Sequence, residues 1–213
     1  DVLESIKGKS GTVVMKHANP CGVSQSKDPF ASFNNAYACD PLSAFGGVIA
    51  CNYKINKKIA LDITKNFLEV ILAKGFDTEA LKILKRKKNL RILDISRFKE
   101  KNVPKIKTFD GSFIIQNKDE IILDKKKLKC VTKLKLSKKD LDEVKFAFNV
   151  CKYVKSNAIV LSNNLSTIGI GGGQPSRIDS CKIAIQKAKQ FQSKKIKNCV
   201  AASDAFFPFP DGI

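Results

Sequence analysis

Short apolar runs alternate with amphipathic segments along the first hundred residues. The runs are rich in β-branched and aliphatic residues and end at turn residues, which predicts strands at 12–16, 45–51, 69–73 and 90–95. Apolar residues at helical spacing predict helices that begin at the Asp28-Pro29 pair and that cover 57–67 and 78–87. This alternation indicates an α/β fold with a largely parallel or mixed sheet.

The pattern weakens after residue 98 and restarts near Ser137. One strand is predicted in between, at 112–116, and the lysine-rich connections around it predict a boundary between two subdomains, 1–129 and 130–213. Ser137 is predicted to cap a helix, and later strands are predicted at 157–161, 167–170 and 199–202. The predicted inner faces are Leu141, Val144, Phe148, Cys151 and Val154 in that helix, and Cys181, Ala184, Ile185, Ala188 and Phe191 in the helix after the glycine-rich loop.

Lysine dominates the charge of the chain. The 213 residues include 39 Lys and Arg against 20 Asp and Glu, a formal net charge of +19, and Arg86, Arg91, Arg97 and Arg177 are the arginines. A hydrophobic fraction of 43% suffices for a core and excludes a disordered chain. Because nucleic-acid readers favour the guanidinium group and these lysines are scattered, we interpret the charge mainly as solvated surface. A basic nucleic-acid-binding module is the alternative.

The cysteines indicate a reducing compartment. Seven cysteines occur at irregular intervals without a CxxC pair, which predicts reduced, mostly buried thiols rather than disulfides or a zinc site. No apolar run has the length that a membrane span needs, and no leader-like segment opens the chain. We therefore expect a cytoplasmic protein without a membrane partner.

His17 is the only histidine, and hence the obvious candidate for acid–base chemistry near neutral pH. It follows Lys16 at the end of a predicted strand. Adjacent strand residues point to opposite faces, so both can face one ligand only if the backbone leaves the strand here. Asn19-Pro20 predicts a loop over 17–22 that allows this. A lone histidine is also commonly structural, and that interpretation stays open at this point.

Two further segments have an unusual composition. Three glycines at 171–173 lie between a predicted strand and a helix, where backbone N–H groups can hold an anion, but a tight turn explains them equally well. The segment 202–212 has three Phe and two Pro, and forms either a core plug or the wall of a pocket for a flat ligand. Pro20-Cys21 begins like a zinc-deaminase motif, but Ser24 stands where that motif has its second cysteine, so no zinc site is predicted.

Five motifs occur in this chain in the order found in one enzyme family. They are KHANPCGV at 16–23, DPLSAFGG at 40–47, KSNAIV at 155–160, GQPSRIDS at 173–180 and ASDAFFPF at 202–209. Through them the chain closely resembles the formyltransferase half of the AICAR transformylase/IMP cyclohydrolase family. The resemblance implies two cytidine-deaminase-like α/β subdomains of three layers with mixed sheets and no zinc site. It also implies transfer of a formyl group from 10-formyltetrahydrofolate to the 5-amino group of AICAR, giving FAICAR in purine (IMP) biosynthesis.

The resemblance also gives roles to individual residues. His17 matches the family's proton shuttle, Lys16 its transition-state stabiliser, and Asn157 an asparagine at the substrate and formyl group. The attacking amine is conjugated and needs a base, and the oxyanion on the formyl carbon needs a fixed cation or amide donor. The positions that match AICAR contacts are Gly46, Glu69 and Arg177, and those that match the folate pocket are Ile178, Phe206 and Asp211.

Some features depart from the family's pattern. Pro175 stands where the family usually has Met or Gln, and Pro210 where it usually has Arg, so the folate pocket differs there. The family's cyclohydrolase domain is not matched, and the chain is expected to be an excerpt that lacks full activity alone. By the resemblance we expect a homodimer with shared active sites that needs no metal and binds no nucleic acid. An inactive homologue kept as a subunit is a further alternative.

Overall fold

The computed structural model describes residues 1–6, 8–99, 103–117, 119, 123, 128–133 and 135–212. The helices are α1 (Val2–Ser5), α2 (Pro29–Tyr37), α3 (Pro41–Ala44), α4 (Lys57–Thr64), α5 (Thr78–Leu84), α6 (Lys138–Cys151) and α7 (Arg177–Gln192). The strands are β1 (Ser10–Lys16), β2 (Asn19–Ser26), β3 (Gly47–Cys51), β4 (Leu68–Ala73), β5 (Arg91–Asp94), β6 (Lys105–Phe109), β7 (Ser112–Gln116), β8 (Ile159–Ser162), β9 (Thr167–Gly171) and β10 (Val200–Ser203).

A five-stranded mixed sheet lies in the first half of the chain. Its strand order is β2-β1-β3-β4-β5, with β1 antiparallel to both neighbours and β3, β4 and β5 parallel. One hydrophobic cluster joins this sheet to helices α2, α4 and α5, and Phe33, Ile49, Ile59 and Ile71 are fully buried within it. The predicted α/β fold with a mixed sheet is confirmed.

A smaller, antiparallel sheet of order β10-β8-β9 lies in the second half. A cluster of buried residues connects the two sheets, because Val13 and Val23 of the first pack with Phe146 of α6 and Val160 of β8. The strands β2 and β9 are also linked by Thr167, whose hydroxyl accepts from the Val23 N–H at 2.9 Å and donates to the Val23 carbonyl at 3.2 Å. The subdomain division at residue 129 stays a prediction.

Side-chain caps start the helices where the sequence predicts them. The Asp28 carboxylate accepts from the N–H groups of Phe30 and Ala31, and Pro29 occupies the first turn of α2. Ser137 and Asp140 form a reciprocal capping box at the start of α6. Each cap satisfies backbone donors that a helix N-terminus leaves without a partner.

The segment 17–22 is not a loop, and this prediction was wrong. The turn takes only two residues, and β2 begins at Asn19 and pairs with β1 along its length. Pro20 is tolerated because β2 is an edge strand and pairs with another strand of the sheet on one side only. The N–H group that proline lacks is therefore not needed for pairing on the outer side.

The predicted inner faces of α6 and α7 are partly wrong. Phe148 and Ile185 are 42% and 43% exposed, whereas Phe146 and Ala147 are buried. Helix α6 contacts both β8 and β10, so its buried face is wider than a single stripe and is rotated from the predicted one. Glu143 lies on that face because its carboxylate accepts from the Ser162 hydroxyl and the Leu165 N–H, both at 2.7 Å.

The strand β6 was missed by the sequence interpretation. It forms a hairpin with β7, and every residue of both strands is exposed, so neither shows the burial pattern of a half-buried strand. All seven cysteines are free, as predicted, and five of them are buried. Within the described part of the chain, no helix has the length and apolar character that crossing a membrane requires.

Candidate functional site

The turn between β1 and β2 carries the predicted catalytic pair. His17 and Ala18 have φ values of +51° and +58°, and Lys16 pairs with Asn19 on either side of them. Two left-handed residues in a two-residue connection match the hairpin turn that follows the twist of antiparallel strands. The backbone therefore leaves the strand at His17, and Lys16 and His17 line the same cleft.

This cleft has a volume of about 720 Å³ and a basic lining. The ammonium group of Lys16 donates to the Phe45 carbonyl at 2.6 Å. The remaining lining residues include two lysines, Lys155 and Lys187. We name this the turn cleft. Its lining is suited to an anionic ligand.

Lys187 is held by a buried carboxylate. Asp40 is 3% exposed and lies 2.5 Å from the Lys187 ammonium, and it also accepts from the N–H and hydroxyl of Ser43. Burial raises the pKa of Asp40, but the hydrogen bonds from Lys187 and Ser43 outweigh it, so the pKa lies below its ordinary value. The ion pair connects the N-cap residue of α3 in the first half to α7 in the second.

Cys21 also lines the turn cleft. Burial, with a smaller contribution from Asp40, raises the pKa of its thiol to about 11, although Lys187 and Lys16 lower it. The thiol is therefore protonated near neutral pH and is not a nucleophile there.

Gly46 and Glu69 lie beside each other at the amino ends of the parallel strands β3 and β4. Gly46 has a φ of +70°, and its N–H donates to the Phe67 carbonyl at 2.9 Å. A Cβ added to Gly46 would lie 3.4 Å from the Phe67 ring and 4.0 Å from the Glu69 carboxylate. The Lys16 ammonium group donates to the carbonyl of Phe45, the residue before Gly46. This hydrogen bond links Gly46, and through it the neighbouring Glu69, to the turn cleft.

Asn157 and Arg177 form the second cluster of the candidate site. The Asn157 amide donates to the carbonyls of Gln174 and Pro175, both at 2.9 Å, and its oxygen accepts from Arg177 at 2.7 Å. The other end of the guanidinium donates to the Ser203 hydroxyl at 2.7 Å and lies 2.5 Å from the Asp204 carboxylate. We call Asn157, Arg177, Ser203 and Asp204 the arginine cluster.

Asp204 is fixed from three sides in this cluster. Its carboxylate accepts from the Ser156 hydroxyl, the Ala158 N–H and Arg177. Burial raises its pKa, but these hydrogen bonds outweigh burial, so the pKa lies below its ordinary value. Asp204 therefore stays ionised and orients the guanidinium.

A second cleft, of about 330 Å³, opens beside the arginine cluster. Its lining includes the three predicted folate-pocket residues, Ile178, Phe206 and Asp211. Phe206 is 80% exposed, so the aromatic segment 202–212 is not a core plug at this position. We name this the aromatic cleft.

The glycines at 171–173 are explained by close packing. A Cβ on Gly171 would lie 2.0 Å from the Ser180 carbonyl oxygen, and one on Gly172 would lie 2.3 Å from the Val154 side chain. The N–H of Gly173 donates to the Lys155 carbonyl at 2.7 Å and is not available to an anion. The absence of side chains in this segment lets the end of β9 pack closely against α7 and against the residues that precede Asn157.

Seven of the nine predicted site residues are thus divided between two neighbouring clefts, and Gly46 and Glu69 line neither of them. Lys16 and His17 line the turn cleft, whereas Asn157, Arg177, Ile178, Phe206 and Asp211 line the aromatic cleft. The chain from Gln174 to Pro175 separates them, because Gln174 lines the first cleft and Pro175 the second.

Sequence reasoning missed several polar residues of these clefts. Asp40 was recognisable from the Asp-Pro pattern that starts a helix, but its partner Lys187 lies 147 residues away and leaves no local signal. Asp204 and Asn19 lie inside quoted motifs without an assigned role. Among the described residues, no group of three or more His, Cys, Asp or Glu side chains could hold a metal ion.

Comparisons with known proteins identify relatives over nearly the whole chain. The family model described as AICARFT/IMPCHase bienzyme matches residues 2–187. The bifunctional purine biosynthesis protein PurH of Thermoanaerobacter sp. (strain X514) is 46% identical over 211 residues, covering 99% of this chain and 40% of the relative. PurH of Bradyrhizobium diazoefficiens is 41% identical over a region that covers 97% of this chain and 41% of the length of that relative. The chain thus spans about two fifths of the length of these relatives.

Proposed function

The chain belongs to the AICARFT/IMPCHase bienzyme family, and from this premise we propose that it carries the formyltransferase chemistry of that family. The reaction transfers the formyl group of 10-formyltetrahydrofolate to the 5-amino group of AICAR and gives FAICAR and tetrahydrofolate. The observation that carries the proposal is the left-handed turn that brings Lys16 and His17 into one cleft. The longer protein of the family would also be an IMP cyclohydrolase.

His17 is the base of the proposed reaction. Its ring makes no hydrogen bond within the described residues, and it lies on an exposed turn, so both nitrogens can reach a ligand. The 5-amino group of AICAR loses a proton to His17 as its nitrogen forms a bond to the formyl carbon, and His17 returns that proton to the folate nitrogen as the bond between this nitrogen and the formyl carbon breaks. A histidine suits both steps because a neutral imidazole nitrogen accepts a proton and the imidazolium donates one.

Lys16 stabilises the oxyanion that forms on the formyl carbon. Its bond to the Phe45 carbonyl fixes the ammonium group at the edge of the cleft before the substrate binds. A cation that is already oriented lowers the energy of the transition state more than that of the ground state.

The arginine cluster binds and orients substrate. A guanidinium has five N–H donors, and Arg177 uses three of them on Asn157, Ser203 and Asp204, which leaves two for AICAR. Gly46 and Glu69 supply further AICAR contacts in the proposal. Ile178, Phe206 and Asp211 form the folate wall, for which the exposed Phe206 ring offers a flat apolar surface.

Because the two clefts are separate in one chain, we infer that a homodimer with shared active sites completes each site. We also infer two cytidine-deaminase-like subdomains, 1–129 and 130–213, in a cytoplasmic protein.

A chimera tests the proposed function. Residues 1–212 replace the matching segment of the Thermoanaerobacter protein, with which they share 46% identity. AICAR-dependent release of tetrahydrofolate is then measured for the chimera and for this chain alone. We expect the chimera to transfer formyl groups. A folded chimera that turns over no AICAR would contradict the proposal.

A further inference from the structure

Asn19 is the residue that joins the two clusters of the candidate site. It is the first residue of β2 and pairs with Lys16 across the turn that carries His17. Its side-chain oxygen accepts a hydrogen bond from the Lys155 N–H at 3.0 Å, although the two residues are 136 positions apart in sequence. Lys155 stands two residues before Asn157. A single side chain therefore bridges the turn and the segment that leads into the arginine cluster.

The hydrogen bonds continue from Lys155 to Arg177. The Lys155 carbonyl accepts from Gly173 at 2.7 Å, and the neighbouring Gln174 carbonyl accepts from both the backbone and the side-chain N–H groups of Asn157. Asn157 in turn accepts from Arg177. Each of these hydrogen bonds joins a donor and an acceptor that must keep their relative orientation. A shift of the Lys155 backbone therefore displaces the side chains of the arginine cluster.

The surroundings of Asn19 leave little free space for such a shift. A Cβ on Gly172 would lie 3.0 Å from the Lys155 carbonyl oxygen and 3.6 Å from the Asn19 amide nitrogen. Asn19 itself is half-buried, while the adjacent His17 and Ala18 are exposed. The contact therefore anchors the base of a turn whose tip is otherwise open to solvent.

We propose that Asn19 is a positioning residue whose bond to the Lys155 N–H fixes the Lys16–His17 turn relative to the arginine cluster. The inference rests on the proposed function for its effect on formyl transfer. The structural part is independent of that function. Misplacing a catalytic group by about 1 Å can lower a rate by up to about 100-fold, so the loss of this one bond has a measurable effect.

Three variants separate this role from a general structural one. Asn19→Ala removes the acceptor, and Asn19→Asp keeps an oxygen in the same place. Asn149→Ala is the matched control, because Asn149 also makes one long-range bond, to the Ser5 carbonyl at 3.4 Å, away from both clefts. If Asn19→Ala does not fold, Asn19→Ser takes its place, because the serine side chain is shorter than that of asparagine and cannot reach the Lys155 N–H.

Hydrogen exchange of the Lys155 amide, read by NMR on this chain, tests the bond itself. We expect exchange to accelerate at least about tenfold in Asn19→Ala and to stay within about twofold of wild type in Asn19→Asp and Asn149→Ala, since only the first loses the acceptor. The amide and side-chain resonances of Asn157 should move in Asn19→Ala alone. Unchanged Lys155 exchange in Asn19→Ala overturns the proposal.

Formyl transfer by the chimera tests the consequence. In Asn19→Ala we expect kcat to fall about 10- to 100-fold with the KM for AICAR within about twofold, and Asn19→Asp to restore most of the rate. An equal fall in Asn149→Ala, or a change in KM alone, overturns the positioning role. If the wild-type chimera shows no formyl transfer, the proposed function fails, whereas the exchange measurement still decides whether Asn19 couples the two clusters.

Discussion

The two clusters of the candidate site differ in how firmly their polar groups are held. In the arginine cluster, Asn157 makes three side-chain hydrogen bonds, Arg177 makes three, and the Arg177 side chain is 10% exposed. At the β1–β2 turn, the Lys16 side chain makes one hydrogen bond and the His17 side chain makes none within the described residues.

This difference fits the two roles that we propose for the clusters, substrate binding and proton transfer. A group that recognises a fixed feature of a substrate gains from being oriented beforehand, because little entropy is then lost on binding. A base must accept and return a proton, and firm bonds to both ring nitrogens would compete with that exchange. The comparison predicts that changes on the turn affect the rate, and that changes in the arginine cluster affect folding as well.

The largest expected effect comes from the turn. In the chimera, His17→Ala should lower kcat by about 10²- to 10⁴-fold, since a positioned acid–base group contributes about that much. The midpoint of urea unfolding should stay within error, because the ring supports no other group. Lys16→Ala should also lower kcat, and Lys27→Ala, just after the far end of β2, is the control. Unchanged formyl transfer in both His17→Ala and Lys16→Ala would show that the catalytic assignment is wrong.

Removing the guanidinium should weaken folding. Arg177→Ala leaves the Asp204 carboxylate partly buried without its cation, and we expect the free energy of unfolding to fall by about 2–4 kcal/mol. The matched control is Lys82→Ala, which breaks the exposed ion pair with Glu79 and should cost less than about 1 kcal/mol. Urea unfolding measures both. Equally small losses of unfolding free energy in Arg177→Ala and Lys82→Ala would mean that the arginine cluster stabilises the fold no more than an exposed ion pair does.

The pH dependence of stability sharpens the same contrast. The Asp204 pKa is lower in the folded chain than its ordinary value of 3.8, so its contribution is fully present above that value and is lost as the pH falls through the folded pKa. Asp204→Asn should therefore show a smaller loss of stability than wild type below about pH 4, and no difference in slope between about pH 5 and pH 7. Urea midpoints across this range provide the measurement. Parallel curves at low pH would contradict the prediction.

The smallest effect concerns the backbone of the turn. Ala18 has a left-handed conformation that costs an L-residue about 1–2 kcal/mol, and glycine avoids this cost but loses more entropy on folding. Ala18→Gly should raise the free energy of unfolding by about 0.5–1 kcal/mol with little change in kcat. Ala31→Gly, inside α2, should lower it by about 1 kcal/mol. A lower free energy of unfolding in Ala18→Gly would contradict the claim that Ala18 is strained in this turn.

The sequence predicts local features of this fold better than contacts between distant residues. The Asp28 and Ser137 caps were predicted correctly, because a cap depends on residues within one turn. The β2 strand was missed because Pro20 suggests a loop, and only its place at the sheet edge makes it compatible with a strand.

The same limit applies to the candidate site. The backbone departure at His17 follows from local reasoning about strand geometry. The bond between Asn19 and Lys155 and the ion pair between Asp40 and Lys187 connect residues more than 130 positions apart, and no periodicity or spacing in one sequence encodes such partners. The resemblance supplied candidate residues, and the structure shows that seven of them line two clefts, whereas Gly46 and Glu69 line neither.

His17 offers a direct test of the central claim, because it is the only histidine in the 213 residues and gives a single pair of ring resonances. AICAR is titrated into this chain while the ring C–H signals of His17 are followed by NMR, with Lys16→Ala as the control. If the turn cleft binds the reacting amine, the His17 signals shift saturably with AICAR, and Lys16→Ala alters the shift. Signals that do not move at an AICAR concentration that saturates binding elsewhere on the chain would contradict the account.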